Sequence, residues 1–459
     1  LTIACVAQYL IPVMVTGVAV ILPSAGSELH ASALQLGLVE QTYVVATAIS
    51  MLFFGRLGDI LGWRKLYIVG FFCFSLATGA LGLAPNIAFL IIVRAVQGLA
   101  AASILSGSIA LVSLAYPPEI RGKKIGILQA FIYGGLSTGP LIGGLIATTL
   151  GWRYLFWLFV PFGLIAAALC LIGLWIEPAN EHPQAIDWKG SLLYAVSIAV
   201  LAAGASNVDQ GILGALGIVM GAVGLSAFCR LQSRTRHPLL DVTVVFGNRT
   251  FALSCLAAMG NYASTFGLTF FMSLYLQYAM KLTPPQAGLI LLAMPVTQML
   301  ASPLVGRLSD RLSPIRLATI GMCVTFLGLA AATLTIGDHT PLPLIIAELL
   351  CIGAGYGIFI TPNTVVIMGS VERSRYGVAS GMVGSMRTLG MVLSMTTITI
   401  IISLGMEGRA VTPQSLPAFL TCMHIGLGAF AVFSLLGIVS SSKRGGPAVA
   451  PVAAPSGRA

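Results

Sequence analysis

Apolar stretches of bilayer-crossing length recur along almost the whole of this chain, and that feature leaves few folds open to it. A helix needs about 20 apolar residues to cross the hydrocarbon, and fourteen segments meet that need at roughly 2–23, 34–54, 65–84, 87–114, 124–148, 153–176, 188–206, 211–230, 251–277, 286–305, 316–336, 341–369, 376–403 and 417–440. Each is expected to be a helix, because an open strand in lipid leaves its backbone polar groups unpaired. Charged residues make up 8% of the chain and hydrophobic ones 57%, whereas a soluble domain carries about 25% charge. The chain reads as an all-α integral membrane protein. Pro117-Pro118, Pro284-Pro285 and Pro341/Pro343 mark breaks between segments.

The few charges set the orientation. With both termini placed in the cytoplasm, nineteen of the 24 Lys and Arg residues fall in inside loops and the tail. Only Arg153, Lys281 and Arg409 lie outside, and Arg94 and Arg387 lie within segments. This bias follows the positive-inside rule and predicts a multi-pass protein of the cell membrane. The net charge of +10 is dispersed among short loops, so it is assigned to topology and not to a nucleic-acid partner. The eight cysteines fall singly in or beside different segments, without a CxxC pair or a His cluster. They read as small buried residues, with no metal or cofactor implied. No P-loop, metal-ligand spacing or clustered triad points to an enzyme. The expected partners are a small-molecule substrate, protons and membrane lipids, with a monomer favoured. The chain opens at Leu1 and not at Met, which predicts a short segment before it.

One stretch breaks the apolar pattern sharply. Gly55-Arg56-Leu57-Gly58-Asp59-Ile60-Leu61-Gly62-Trp63-Arg64-Lys65 carries four charges between the second and third segments. A degraded copy, Gly306-Arg307-Leu308-Ser309-Asp310, stands 251 residues downstream. At that offset Gly126 falls on Gly377 and Gly139 on Gly390. The first six segments thus match the last six. The chain divides into an N-terminal six-helix lobe (1–176), a linker with two helices (177–250), a C-terminal six-helix lobe (251–440) and a disordered cytoplasmic tail (441–459). A linear repeat of this kind implies lobes related by an axis along the membrane normal, with a site between them.

The Gly55–Lys65 stretch resembles the signature loop of the major facilitator superfamily, with Trp63 where that pattern commonly has Arg. The fold expected is therefore the major facilitator fold, with 14 transmembrane helices as two six-helix lobes plus two linker helices. The resemblance implies that this loop latches the lobes on the cytoplasmic side, with Gly55, Asp59, Gly62, Arg64, Lys65 and, in the second copy, Asp310 taking part. Arg94-x-x-Gln97-Gly98 resembles the family's fourth-helix motif, whose Arg is associated with proton coupling. Gly135-x-x-x-Gly139-Pro140-x-x-Gly143-Gly144 matches the family's antiporter motif. Its glycines also form a smooth stripe for helix packing. Asp187-Trp188-Lys189-Gly190 and the Gly377, Gly381, Arg387, Gly390 set look like the fourteen-span drug:proton antiporters (QacA/EmrB-like). That subfamily commonly has an acid in its first helix, where Met14 stands here.

The carboxylates within segments are Glu40 and Glu348, and burial favours proton exchange at such groups. Glu348 falls on Gln97 at the repeat offset, so both are expected to face one central cavity, and Glu348 is preferred over Glu40 as proton carrier. Tyr43, Gln97, Tyr133, Tyr262, Phe270 and Arg387 are candidates for the cavity wall. His424 is expected to be a hydrogen-bonded bundle residue. The function expected is proton-coupled antiport of small amphipathic or lipophilic compounds, of multidrug type, by alternating access. The alternatives are a facilitator or importer of a small organic anion or metabolite, and a non-transporting scaffold.

Overall fold

The computed structural model describes residues 1–31, 33–173, 186–207, 211–235, 238–240, 247–337, 340–406 and 416–444. Most of the tail expected to be disordered, 445–459, lies outside the described residues. The N-terminal lobe contains α1 (Thr2–Glu28), α2 (Ala33–Leu61), α3 (Trp63–Gly82), α4 (Ile87–Ala115), α5 (Pro118–Thr149) and α6 (Arg153–Gly173). Two linker helices follow, α7 (Trp188–Ser206) and α8 (Ile212–Gln232). The C-terminal lobe contains α9 (Arg249–Thr265), α10 (Leu268–Leu274), a π-helical turn (Tyr275–Ala279), α11 (Pro284–Leu291), α12 (Ala293–Ser309), α13 (Pro314–Thr335), α14 (Leu342–Gly369), α15 (Tyr376–Met406) and α16 (Leu416–Ser442).

Local chemistry sets many of these boundaries. Asn86, Asp187 and Asn248 cap α4, α7 and α9 by accepting from the N–H groups of Phe89, Gly190 and Phe251, as short polar side chains do at helix starts. Proline opens α5, α11 and α13, where its missing N–H costs nothing. Gly62 has φ 88° and lets α2 reverse into α3 with a single residue between them, a backbone that favours glycine.

The expectation of fourteen spans is corrected. Among the described residues, twelve helices have the length and hydropathy of a membrane span. The seventh segment forms α7, 19 residues long, whose apolar run Trp188–Gly204 stands at the short end of what crosses the hydrocarbon. The ninth breaks after Thr265. There the backbone N–H of Gly267 donates to Ser394 Oγ (2.9 Å), and α9 carries buried Ser254, Asn261, Ser264 and Thr265. An apolar count along the sequence does not register such a break or the polar load of a helix that faces protein.

Within the N-terminal lobe α1 packs on α5, α2 on α4 and α3 on α6. In the C-terminal lobe α9 packs on α15 and α16, and α14 packs on α12 and α13. The lobes meet chiefly through α2 with α15 and α5 with α12, and also through α4 with α15 and α5 with α14. The linker helix α7 lies against both α2 and α15, and Tyr194 Oη donates to Ser385 Oγ at 2.8 Å. Val69, Leu141, Leu145, Ile172, Leu327 and Leu334 point outward and are exposed, as befits helices solvated by lipid. At the end away from the Gly55–Lys65 stretch, Glu28 accepts from Trp152 Nε1 (2.6 Å) and from Arg153. These two donors hold its carboxyl below the usual range.

The α1–α5 contact depends on small residues. A side chain at Gly135 would meet the Tyr9 carbonyl at 2.6 Å, and one at Gly143 the Gly17 carbonyl at 2.6 Å. At Gly139 it would run into Thr16 and the Val13 carbonyl. Gly144 lies off this stripe, with only Val20 nearby at 3.8 Å. Close backbone approach is a source of helix association in lipid, where hydrophobicity drives little. Gly143→Val is expected to destabilise the protein by about 1–3 kcal/mol, as overpacking does, read as a lowered thermal midpoint in detergent; Gly144→Ala should leave the midpoint unchanged.

Candidate functional site

The two helix pairs most closely packed across the lobes, α2–α15 and α5–α12, carry matching polar clasps. Asp59, at the end of α2, is fully buried. Its Oδ1 accepts from the Gly377 N–H at 2.9 Å and its Oδ2 from the Val378 N–H at 3.1 Å. Asp310, which follows α12, accepts from the N–H groups of Gly122 (2.6 Å) and Lys123 (2.8 Å) in the first turns of α5. Each carboxylate therefore sits near the start of a helix from the opposite lobe, where an anion is favoured, and Asp59 takes N–H groups of the first turn, which lack partners within their helix. Asp59 and Asp310 are repeat equivalents, and each reaches across the seam.

Glycines make this reach possible. A side chain at Gly55 would meet the Gly377 carbonyl at 2.6 Å, and one at Gly306 the Gly122 carbonyl at 2.5 Å. Gly381 and Gly126 are equally confined, by the carbonyls of Met51 and Ser302. Trp63 is 1% exposed and lies flat against Gly58, Gly107 and Gly377. Its bulk replaces the commoner Arg by filling the space beside Asp59. Arg64 donates to the Leu171 carbonyl (2.7 Å) of its own lobe, and Lys65 is exposed. Residues that sequence reasoning passed over join the cross-lobe contact. Arg121 lies over the Tyr376 ring at 5.3 Å, and Arg373 donates to the Leu114 carbonyl at 2.9 Å.

A second polar cluster lies within the N-terminal lobe. Arg94 on α4 is fully buried. It donates from Nη2 to Glu40 Oε1 (3.2 Å), from Nη1 to Gln97 Oε1 (2.9 Å) and from Nε to the Val39 carbonyl (3.4 Å). Gln97 Nε2 donates in turn to Thr78 Oγ1 at 2.8 Å, and the guanidinium stands 4.3 Å from the centre of the Tyr43 ring. The costly buried cation is thus paired and almost fully hydrogen-bonded. The Glu40 side chain keeps 26% of its exposure.

Glu348 is elsewhere. It is 4% exposed and accepts from Thr335 Oγ1 within the α13–α14 hairpin. Glu348 and Gln97 were expected to face one central cavity; Gln97 bonds to Thr78, and neither residue lines the cavity described below. Arg94 takes Glu40 because α2 lies directly against α4. His424 is hydrogen-bonded to the Ile336 carbonyl.

A cavity of about 20 Å³ lies between the lobes, lined by Gln8, Gln129, Tyr262, Ser380 and Arg387 together with apolar neighbours such as Met51 and Ile132. That volume holds about one water. Gln129 and Ser380 are repeat equivalents and meet there. Of the expected wall residues, Tyr262 and Arg387 line the cavity. Tyr133 is one step behind, joined to Tyr262 through edge-on contacts with Tyr356 at 5.7 Å each. Tyr43 and Gln97 belong to the Arg94 cluster, and Phe270 is exposed and outside the cavity lining. Gln8 and Gln129 were missed. Polar side chains inside apolar segments, one of them matching Ser380 at the repeat offset, were the available signal.

Two six-helix lobes, a seam with repeated clasps and a cavity on that seam define a membrane transporter architecture. The Major Facilitator Superfamily model matches residues 4–395, and the chain belongs to that superfamily, whose members are transporters and not enzymes. It is 32% identical over 357 residues to the "Multidrug resistance protein Stp" of Mycobacterium tuberculosis, covering 77% of this chain and 66% of that one, just under two-thirds of the relative's length. It is 29% identical over 374 residues to the "Riboflavin transporter RibZ" of Clostridioides difficile, covering 81% of this chain and 80% of the relative. Among solved structures it overlays on the human organic anion transporter MFSD10 with a TM-score of 0.70 at 12% identity, covering 96% of this chain and 98% of that one. It overlays on the proton:xylose symporter XylE with a TM-score of 0.66 at 13% identity, covering 96% and 93%. Twelve spans fit that fold.

If the clasps hold the lobes together, Asp59→Ala removes two charge-assisted bonds, each worth about 1.5–3 kcal/mol. Spin labels at exposed Lys65 and Glu372 should then report a longer, broader distance distribution by pulsed electron resonance than in the otherwise unchanged protein.

Proposed function

We propose that the protein is a secondary active efflux transporter of the cell membrane, exchanging protons for small amphipathic or lipophilic compounds of multidrug type by alternating access. The reading is supported most by the two clasps, which tie the lobes at one end of a seam holding a polar cavity. The positive-inside bias puts that end, and both termini, on the cytoplasmic side. The clasped state is then closed to the cytoplasm, and breaking both clasps opens the cavity there. Gly139-Pro140 and the resemblance to the antiporter motif support outward transport, as does the kinship with Stp.

Proton coupling is assigned to Glu40 and Arg94, in preference to Glu348. Glu40 retains access from the opposite end of the membrane, and its charge is matched by Arg94. Both Glu40 and Asp59 belong to α2, about 28 Å apart along the helix axis. Protonating Glu40 removes its charge from Arg94, loosens α2 from α4 and tilts the Asp59 end away from α15. One rigid helix thereby links the proton site to the clasp.

A second reading, a facilitator or importer of a small metabolite without proton exchange, has one observation in its favour: α1 presents buried Met14 where related antiporters carry an acid. The kinship with RibZ is compatible with it. A cargo found by thermal-shift screening of cations, anions and neutral lipophiles separates the two readings. In proteoliposomes with an imposed pH gradient, adding that cargo should release protons. Glu40→Gln is expected to lower proton-driven transport at least tenfold, the size of effect at which general proton-transfer groups act, while Glu348→Gln retains it. Transport that ignores the pH gradient, with Glu40→Gln fully active, contradicts antiport through this pair.

A further inference from the structure

The cavity between the lobes has one charge in its wall, and that charge is uncompensated. Arg387 on α15 lines it and has no carboxylate partner among the described residues. The carboxylates of the membrane interior are committed elsewhere: Glu40 to Arg94, Glu348 to Thr335 and Asp59 to the start of α15. An unpaired cation in a low-dielectric interior is expensive and calls for a counter-charge.

The groups around Arg387 are suited to supply the rest of an anion site. Ser380 is 2% exposed and its hydroxyl has no partner; Gln8 is 3% exposed with its amide oxygen unpartnered. An amide offers either its NH2 or its C=O by a simple flip. Gln129 and Tyr262 complete the wall. Buried polar groups without partners in a native protein call for an explanation such as a ligand. Together these residues bring a guanidinium, two amides and a free serine hydroxyl to the wall of one cavity on the seam, from α1, α5 and α15. A guanidinium recognises a carboxylate with two parallel hydrogen bonds.

We infer that the cargo carries an anionic oxygen group, a carboxylate or its equivalent, which binds Arg387 with Gln8, Gln129 and Ser380 in the cavity between the lobes. This rests on the reading that the cavity is the cargo site, whichever way the cargo moves. The apolar part of the cargo lies against Met51, Ile132 and Tyr262, in a cavity that widens beyond its one-water volume when the lobes part. A cationic cargo has no counter-ion in this wall and meets Arg387 as a repulsive charge.

Three matched fluorescent probes test it: anthracene-9-carboxylate, 9-anthracenemethanol and 9-(aminomethyl)anthracene. Each is titrated into the full chain in lipid nanodiscs, with empty nanodiscs as the partition control. The carboxylate should bind saturably and at least tenfold tighter than the ammonium. Arg387→Gln should weaken the carboxylate about 10- to 100-fold, the worth of a charge-assisted contact, and leave the alcohol within about twofold on the same scale. Arg387→Lys, which keeps the charge, should recover most of the loss, and an unchanged melting midpoint certifies the fold. Equal or tighter binding of the ammonium, no effect of Arg387→Gln, or saturable binding by none of the three overturns the anion site. In proteoliposomes, a carboxylate that binds through Arg387 yet is not moved under any gradient overturns the transport reading alone. An ammonium that is moved, with Arg387→Gln silent, overturns the anion alone.

Discussion

A carboxylate buried on the first N–H groups of a helix from another lobe is the interaction on which the seam of this protein depends. Asp59 is removed from solvent and is held by two backbone donors of α15. Those donors have no partner inside their own helix. Each side of the contact thus supplies what the other lacks. The arrangement works only if two backbones come within van der Waals distance, so Gly55, Gly377 and Gly381 are required where they stand. Asp310 repeats the solution with Gly306, Gly122 and Gly126, with the lobes exchanging roles.

The remaining polar groups follow from the cost of charge in lipid. Arg94 is affordable because Glu40, Gln97 and the Val39 carbonyl engage it, and its ring neighbour Tyr43 adds a cation–π contact. Arg387 has no carboxylate partner among the described residues and lines the cavity. The contrast between the two arginines separates a group that tunes the scaffold from one that waits for a partner. The linker helix α7 bears on α2 and α15, the same two helices that form the Asp59 clasp, so the insertion between the lobes also braces their seam.

Much of the helical architecture was legible in the chain, because a membrane core demands long apolar helices and a repeat at 251 residues leaves its charged loops in register. Asp59 could be read because four charges interrupt an apolar background. The helix count could not. Residues 188–206 make a helix at the short end for a span, and 251–277 is interrupted at Gly267, whose N–H bonds to Ser394, a residue more than a hundred positions away. Glu348 went astray for a related reason: repeat equivalence with Gln97 places two residues at one depth, but it does not say which neighbour each one turns towards. Phe270 is exposed and does not line the small cavity between the lobes. Arg64 and Lys65 share the loop with Asp59, yet Arg64 donates to the Leu171 carbonyl of its own lobe and Lys65 is exposed. Gln8 and Gln129 were single polar residues in apolar runs and acquired meaning only when four helices brought them together.

The central claim is that the two clasps act as one latch. Hydrogen exchange of the full chain in lipid nanodiscs, resolved to single amides, addresses it directly at Gly377, Val378, Gly122 and Lys123. The account predicts that all four exchange slowly, and that Asp310→Asn speeds exchange at Gly377 and Val378 as well as at its own two partners. Release confined to Gly122 and Lys123, with the Asp59 partners still protected, would contradict it.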